Sequence, residues 1–213
     1  MMDELLGEPR REPDLAYMPA VVVGIVTNNQ DPQGMGRVKV RLPTLSDSVE
    51  SNWARIAAPM AGNNRGVYFL PEIDDEVLVA FERGNPNAPF ILGMLWNGQD
   101  APPAGNEDGK NDVRIIKSRS GHVIRLTDTR DAEKIEIIDM SGKSSLVFDT
   151  AKNLIKIESS QDITLAAPNG TIRLGARSIE IAATGSATVE AGSSLDIEVS
   201  GALTLKGTTI DLN

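Results

Sequence analysis

The sequence predicts an all-β protein in two parts: a small closed barrel, then a slender β-helix in which three copies of the chain wind around one axis. Three observations predict it. Apolar and polar residues alternate at strand spacing, and no segment carries a sustained helical period. All eight aromatic residues lie at or before Phe148. Beyond about residue 146, an apolar-polar-apolar triplet returns roughly every eight residues.

Composition narrows the function classes. The chain has 213 residues, enough for one ordinary domain or two small ones. Its formal net charge is −9, which argues against non-specific attraction to nucleic acid or an anionic membrane surface. It contains no cysteine, so disulfides and thiolate metal sites are excluded. The N-terminal stretch MMDELLGEPRREPDLAYMP is acidic and proline-containing, without the apolar run of a signal peptide or a membrane span. The expectation is a protein that starts in the cytoplasm, with residues 1–19 as a flexible arm.

Strands of the first part are expected at Val21–Val26, Val38–Leu42, Trp53–Ala57, Glu76–Phe81 and Phe90–Leu95. Turn residues separate them at Asp31-Pro32-Gln33-Gly34, Gly62-Asn63-Asn64-Arg65-Gly66 and Gly84-Asn85-Pro86-Asn87. Strands of this number and spacing, with long loops, fit an OB-type barrel over residues 20–97, with an SH3-like barrel as the alternative. Eleven of the twelve prolines lie at or before Pro103. The architecture is therefore expected to change across a linker at 98–112, rich in Pro, Gly and acidic residues.

In the second part, 113–213, the apolar pairs are Ile155/Ile157, Ile163/Leu165, Ile172/Leu174, Ile179/Ile181, Ala187/Val189, Leu195/Ile197, Leu203/Leu205 and Ile210/Leu212. Polar residues lie between the partners, and Gly, Ser, Asn and Thr fill the corners, as at Pro168-Asn169-Gly170 and Gly192-Ser193-Ser194. A single chain wound this way has a thin core and exposed strand edges. Three chains on one axis cover both. The expected trimer core is Ile155, Ile157, Ile163, Leu165, Ile172, Leu174, Ile179, Ile181, Val189, Leu195, Ile197 and Leu203. A slim prism of this kind also explains the missing aromatics, which need a wider core.

Two stretches carry a family resemblance. Leu70 to Pro86, LPEIDDEVLVAFERGNP, leads on to Pro89 to Gly98, PFILGMLWNG; Ser118 to Thr129, SRSGHVIRLTDT, is followed by Glu133 to Asp139, EKIEIID. These resemble the central spike proteins of contractile injection systems, of the phage baseplate assembly protein V and VgrG type, over roughly residues 20–213. The resemblance implies an OB-fold domain, a triangular β-helix and an intertwined homotrimer. It also implies a structural, membrane-piercing role rather than an enzymatic one, in a phage tail, type VI system, tailocin or extracellular injection particle. It further implies a baseplate hub protein at the barrel end as a separate partner, and a PAAR-type tip protein at the C-terminal end, where Leu205, Ile210 and Leu212 are the expected contact. Contact with the target membrane is expected to be transient. The chain departs from the family where members carry an inserted lysozyme domain, or paired histidines that bind iron near the tip: His122 is the only histidine.

Other candidate chemistry reads as structure. Ser120, His122 and Asp128 are close in sequence, but their spacing does not imply a catalytic triad. Asp74-Asp75-Glu76 reads as a loop and strand start rather than a metal site. Arg37, Lys39 and Arg41 share one face of a strand, which in an OB barrel would suit nucleic acid, but no aromatic interleaves them. Asn169-Gly170-Thr171 and Gly34-Met35-Gly36 read as turns. No metal, cofactor or catalytic residue is expected. An OB-fold nucleic-acid binder and a spike-borne polysaccharide-degrading enzyme stand as the alternative functions.

Overall fold

The structure, a computed structural model, describes residues 21–211. The first sheet begins with β1 (Val22–Asn28), β2 (Lys39–Leu42), β3 (Ser46–Glu50) and β4 (Arg55–Ile56). A small hairpin, β5 (Ala61–Gly62) and β6 (Arg65–Gly66), precedes β7 (Glu76–Phe81) and β8 (Pro89–Leu95). The order across this sheet is β3-β2-β1-β7-β8-β4. All contacts are antiparallel except β4–β8. Val38 and Ala54 close the ring: Val38 N–H donates to the Ala54 carbonyl at 3.0 Å, and Ala54 N–H returns a bond at 2.7 Å. A closed ring of this order fits the OB barrel rather than an open sandwich.

Period-2 patterning explains why the ring closes on itself. Inward positions of the strands bury Val26, Val40, Leu42, Val77, Val79, Phe81 and Ile91, joined by Val38 and Ala54. Each fully buried Val or Ile stabilises the barrel by roughly 1.5–3 kcal/mol relative to exposure. Gly24 is buried among them. A Cβ there would lie 2.9 Å from Val79 Cγ2 and 3.3 Å from Leu42 Cδ2, so the core leaves no room for a side chain. The β7–β8 register slips by one residue between Leu78 and Val79, leaving Leu92 without an opposite partner. Such a bulge bends and twists a strand, which a small barrel requires.

The five expected barrel strands are present, Glu76–Phe81 with the same bounds and the other four with shifted ones; Trp53–Ala57 shrinks to the two residues of β4. Strand β3 and the β5–β6 hairpin were not expected. Their sequences, SDSVE, AG and RG, lack apolar alternation because they sit at exposed margins of the barrel.

Beyond β8 no strand forms until β9 (Val113–Lys117). The second sheet then runs β9, β10 (Val123–Thr127), β11 (Lys134–Ile138), β12 (Ser144–Asp149) and β13 (Leu154–Ser159) as an antiparallel meander, each strand beside its sequence neighbour. Apart from a 3-10 turn at Glu82–Gly84, no helix occurs among the described residues. The molecule is all-β.

The chain divides into two units at Ser160/Gln161. In the second unit, described residues 161–211 form bends and one turn but no strand, and every one is exposed. Among the described residues after Gln161, successive repeats of one chain make no sheet ladder with one another.

Candidate functional site

The meander presents one face with almost no polar residue. Register fixes which side chains share it, because residues opposite each other in a ladder point the same way. One row runs Ile116, Ile124, Ile137, Leu146, Ile157; the next runs Leu126, Ile135, Phe148, Ile155, with Arg114 at its β9 end. Among the described residues these rows stay largely open to solvent: Ile155 and Ile157 are 64% and 59% exposed. Eight exposed large apolar side chains and the half-buried Leu146 on one contiguous face mark an interaction surface rather than ordinary surface scatter.

The opposite face carries the charges. Glu136, only 6% exposed, accepts from Arg125 Nε at 2.8 Å, pairs with Arg125 Nη2 at 2.7 Å and lies 3.5 Å from Lys134 Nζ. Lys156 lies on the same face and pairs with Glu158 at 2.7 Å. The two faces are therefore chemically distinct.

The predicted pair Ile155/Ile157 lies on this apolar face, against Phe148 and Leu146 in register. The triplets Ile124-Arg125-Leu126 and Ile135-Glu136-Ile137 repeat its chemistry on β10 and β11, and Leu146-Val147-Phe148 on β12 adds two apolar side chains to the same face around an apolar centre. Sequence reasoning missed them because their spacing is longer than eight residues. The apolar-polar-apolar signature itself marks the first two, but not Leu146-Val147-Phe148, whose centre is apolar. Of the remaining expected core positions, Ile163, Leu165, Ile172, Leu174, Ile179, Ile181, Val189, Leu195, Ile197 and Leu203 are all more than half exposed, as is Leu205, and Ile210 is half exposed. The single chain brings none of them together. Leu212 and the arm at residues 1–19 lie outside the described residues.

Where the meander meets the barrel, a cavity of about 970 Å³ opens between the Tyr68-Phe69-Leu70 loop and the row residues Ile116, Ile124, Ile137 and Leu146. Tyr68 and Phe69 are exposed. An ion pair from Arg119 Nη1 to Glu72 Oε1, at 3.0 Å, spans the same junction.

The other candidates resolve into structure. His122 Nδ1 accepts the Met140 N–H at 3.2 Å, Ser120 Oγ lies 3.3 Å from Ser118 Oγ, and Asp128 pairs with Arg114 at 2.9 Å. The three residues thus turn to different partners and form no relay. Asp75 Oδ2 accepts the Glu72 N–H at 2.8 Å and Asp74 takes a positive φ of 72°, so this carboxylate run shapes a turn. Among the described residues no cluster of three metal-ligating side chains occurs.

On the barrel, no aromatic interleaves Arg37 and Lys39 in the run, but the fold brings one beside them. Trp53, near in space but not in the run, lies 5.8 Å from Arg37 Cζ and 5.4 Å from Lys39 Nζ. Both cations are nevertheless already paired. Arg37 makes a two-pronged bond to Asp31 at 2.8 and 2.7 Å, and Lys39 reaches Glu50 at 2.7 Å. The Arg37 bond, with backbone N–H groups of Gln33, Arg37 and Met35, holds the Asp31 carboxyl far below its usual range. Lys39 and then Thr27 likewise depress Glu50. A phosphate backbone would have to displace these carboxylates, which weighs against nucleic-acid binding.

Residues 22–96 match the family described as the type VI secretion system/phage-baseplate injector OB domain. The chain is 32% identical over 145 residues to the type VI secretion system spike protein VgrG1a of Pseudomonas aeruginosa, covering 62% of this chain and 22% of that protein. It is 26% identical over 155 residues to the actin cross-linking toxin VgrG1 of Vibrio cholerae, covering 69% and 13%. With the type VI spike protein VgrG3 of Vibrio cholerae it shares 33% over 97 residues, 44% and 10%. The chain thus spans between 10% and 22% of the length of these relatives. Among its described residues no helix is long and apolar enough to cross a membrane. The match across residues 22–96 falls on the barrel, and over part of its length the chain is similar to VgrG spike proteins of type VI secretion systems.

Proposed function

We propose that the chain is the structural spike of a contractile tail or injection system and works as a homotrimer. Residues 20–97 are the OB domain that seats on a baseplate hub, 98–112 link it to the shaft, and 113–213 wind with two further copies into a triangular β-helix. The apolar rows of the meander and the repeats after Gln161 face the common axis. The arm at 1–19 contacts the hub or inner tube. Leu205, Ile210 and Leu212 meet a PAAR-type tip protein, and sheath contraction drives the needle through the target membrane. The role is mechanical, not enzymatic.

The observation that carries this reading is the exposed apolar face of β9–β13, whose apolar-polar-apolar pattern on β10, β11 and β13 runs on into the repeats. A face of this kind stays soluble when it meets its own copies. Three copies also supply the strand neighbours that residues 161–211 do not find within one chain.

The chain has no cysteine, so single cysteines report geometry cleanly. Under mild oxidation, Leu195→Cys on the proposed axis is expected to link chains covalently, and Asp196→Cys, one residue along on the outer face, is not. Equal linking at both positions contradicts the axial winding. For the injection role, deleting the gene from a producing cell is expected to abolish delivery to target cells. Undiminished delivery contradicts it.

A further inference from the structure

The chain contains two Asn-Gly pairs, Asn97-Gly98 and Asn169-Gly170, and the structure treats them differently. At Asn97 the side-chain carbonyl Oδ1 accepts two backbone N–H groups, from Gln99 at 2.7 Å and Asp100 at 2.7 Å. The amide nitrogen Nδ2 donates to Asp100 Oδ2 at 3.1 Å, and Asn97 N–H donates to the Asp100 carbonyl at 3.1 Å. Gly98 brings no side chain to the reacting backbone, and even a Cβ built there would meet nothing within 4 Å. At the second pair, the Gly170 N–H is committed to the Ala167 carbonyl at 3.1 Å.

We propose that Asn97-Gly98 is a self-modification site at which the turn itself promotes loss of the side-chain amide. The Gly98 backbone nitrogen attacks Asn97 Cγ. A Cγ–N bond forms and the Cγ–Nδ2 bond breaks, giving a five-membered imide. The proton from Gly98 leaves with Nδ2, so that ammonia departs. Water then opens the ring at either carbonyl, yielding aspartate or its β-linked isomer, with no net oxidation or reduction. In the tetrahedral step negative charge develops on Oδ1, where two N–H donors are already in place, the arrangement by which fixed dipoles lower a barrier. Asp100 touches the departing nitrogen and takes the transferred proton on its way to it.

The product matters because of its place in the fold. Asn97 lies two residues beyond the end of β8, where the chain leaves the barrel toward β9. Each event adds a negative charge beside Asp100, and the β-linked product lengthens the backbone within the turn that starts this connection. The protein would then carry an age-dependent change at its barrel–shaft joint.

The test is peptide mass analysis of the full chain incubated at mildly alkaline pH, alongside the same chain in denaturant. The expected result is conversion at Asn97 at least about tenfold faster in the folded chain than in the denatured one, a modest share of the roughly 10²–10³ that one fixed donor supplies in an enzyme site. Asn169 is expected to be slower in the folded chain than in the denatured one. Asp100→Asn, which keeps the shape of the turn, is expected to slow Asn97 conversion severalfold while leaving the denatured rate unchanged. An Asn97 rate that is equal or lower in the folded chain overturns the proposal, because the turn then only locks the side chain. An unchanged rate in Asp100→Asn overturns the part assigned to that carboxylate.

Discussion

Ile124 of β10 and Ile137 of β11 stand directly opposite each other in the meander, yet they remain 43% and 47% exposed. Isoleucines paired in this way gain little from each other alone, since their outer surfaces still face water. Their value to the protein lies in what covers them, and the proposed function assigns that role to two further copies of the chain.

Within the barrel, Ile91 is completely buried at the β8 position that faces Val79 in register. Ile91→Ala is expected to destabilise the chain by about 2–5 kcal/mol, combining lost transfer energy with a cavity. Gly24→Ala errs in the opposite direction, pushing a methyl against Val79, and is expected to cost about 1–3 kcal/mol. Denaturant titration of an isolated barrel segment, if it folds alone, or of the full chain, measures both. A neutral Gly24→Ala would show that Val79 yields freely.

Asp31 is the centre of the 31–37 loop, with its carboxylate shared between the Arg37 fork and the N–H groups of Gln33 and Met35. Asp31→Asn keeps the size but loses the charge, leaving Arg37, largely buried, without its counter-ion. The melting temperature is expected to fall, with Arg37→Lys falling less because one cationic contact survives. Paired thermal melts check the order of the two variants.

The turn between β11 and β12 gives a pH prediction. Asp139 is held at about 2, below its ordinary 3.8, first by the Ser141 hydroxyl and then by the Ser144 backbone N–H, at 2.6 and 2.9 Å. The folded state therefore takes up this proton less readily than the unfolded state. The stabilising contribution is complete above 3.8 and is lost as the pH falls through about 2. Stability measured against pH in wild type and Asp139→Asn is expected to show a steeper acid loss in the wild type within that window. Parallel curves contradict the assignment.

Much of this was legible in the sequence, for physical reasons that differ by element. Val77, Val79 and Phe81 alternate with Leu78 and Ala80, and a closed barrel needs its inner face apolar, so β7 could be read residue by residue. β3 could not be, because an exposed marginal strand has no such requirement. Ile155 and Ile157 were found by their spacing, but Ile124, Ile135 and Ile137 were hidden by loops of unequal length. Trp53 beside Arg37 was invisible for another reason. The contact is made across strands by Val38–Ala54 bridging, which no linear pattern records.

The most direct test of the central claim is the solution mass of the purified chain and of Ile137→Glu, by light scattering after size exclusion together with sedimentation velocity. The account predicts three times the 22.8 kDa of one chain for the wild type, with the high frictional ratio of a needle. It predicts a shift toward single or aggregated chains when a charge is placed on the apolar face. A compact wild-type particle of 22.8 kDa would contradict the account, as would an Ile137→Glu variant that retains the wild-type mass and shape.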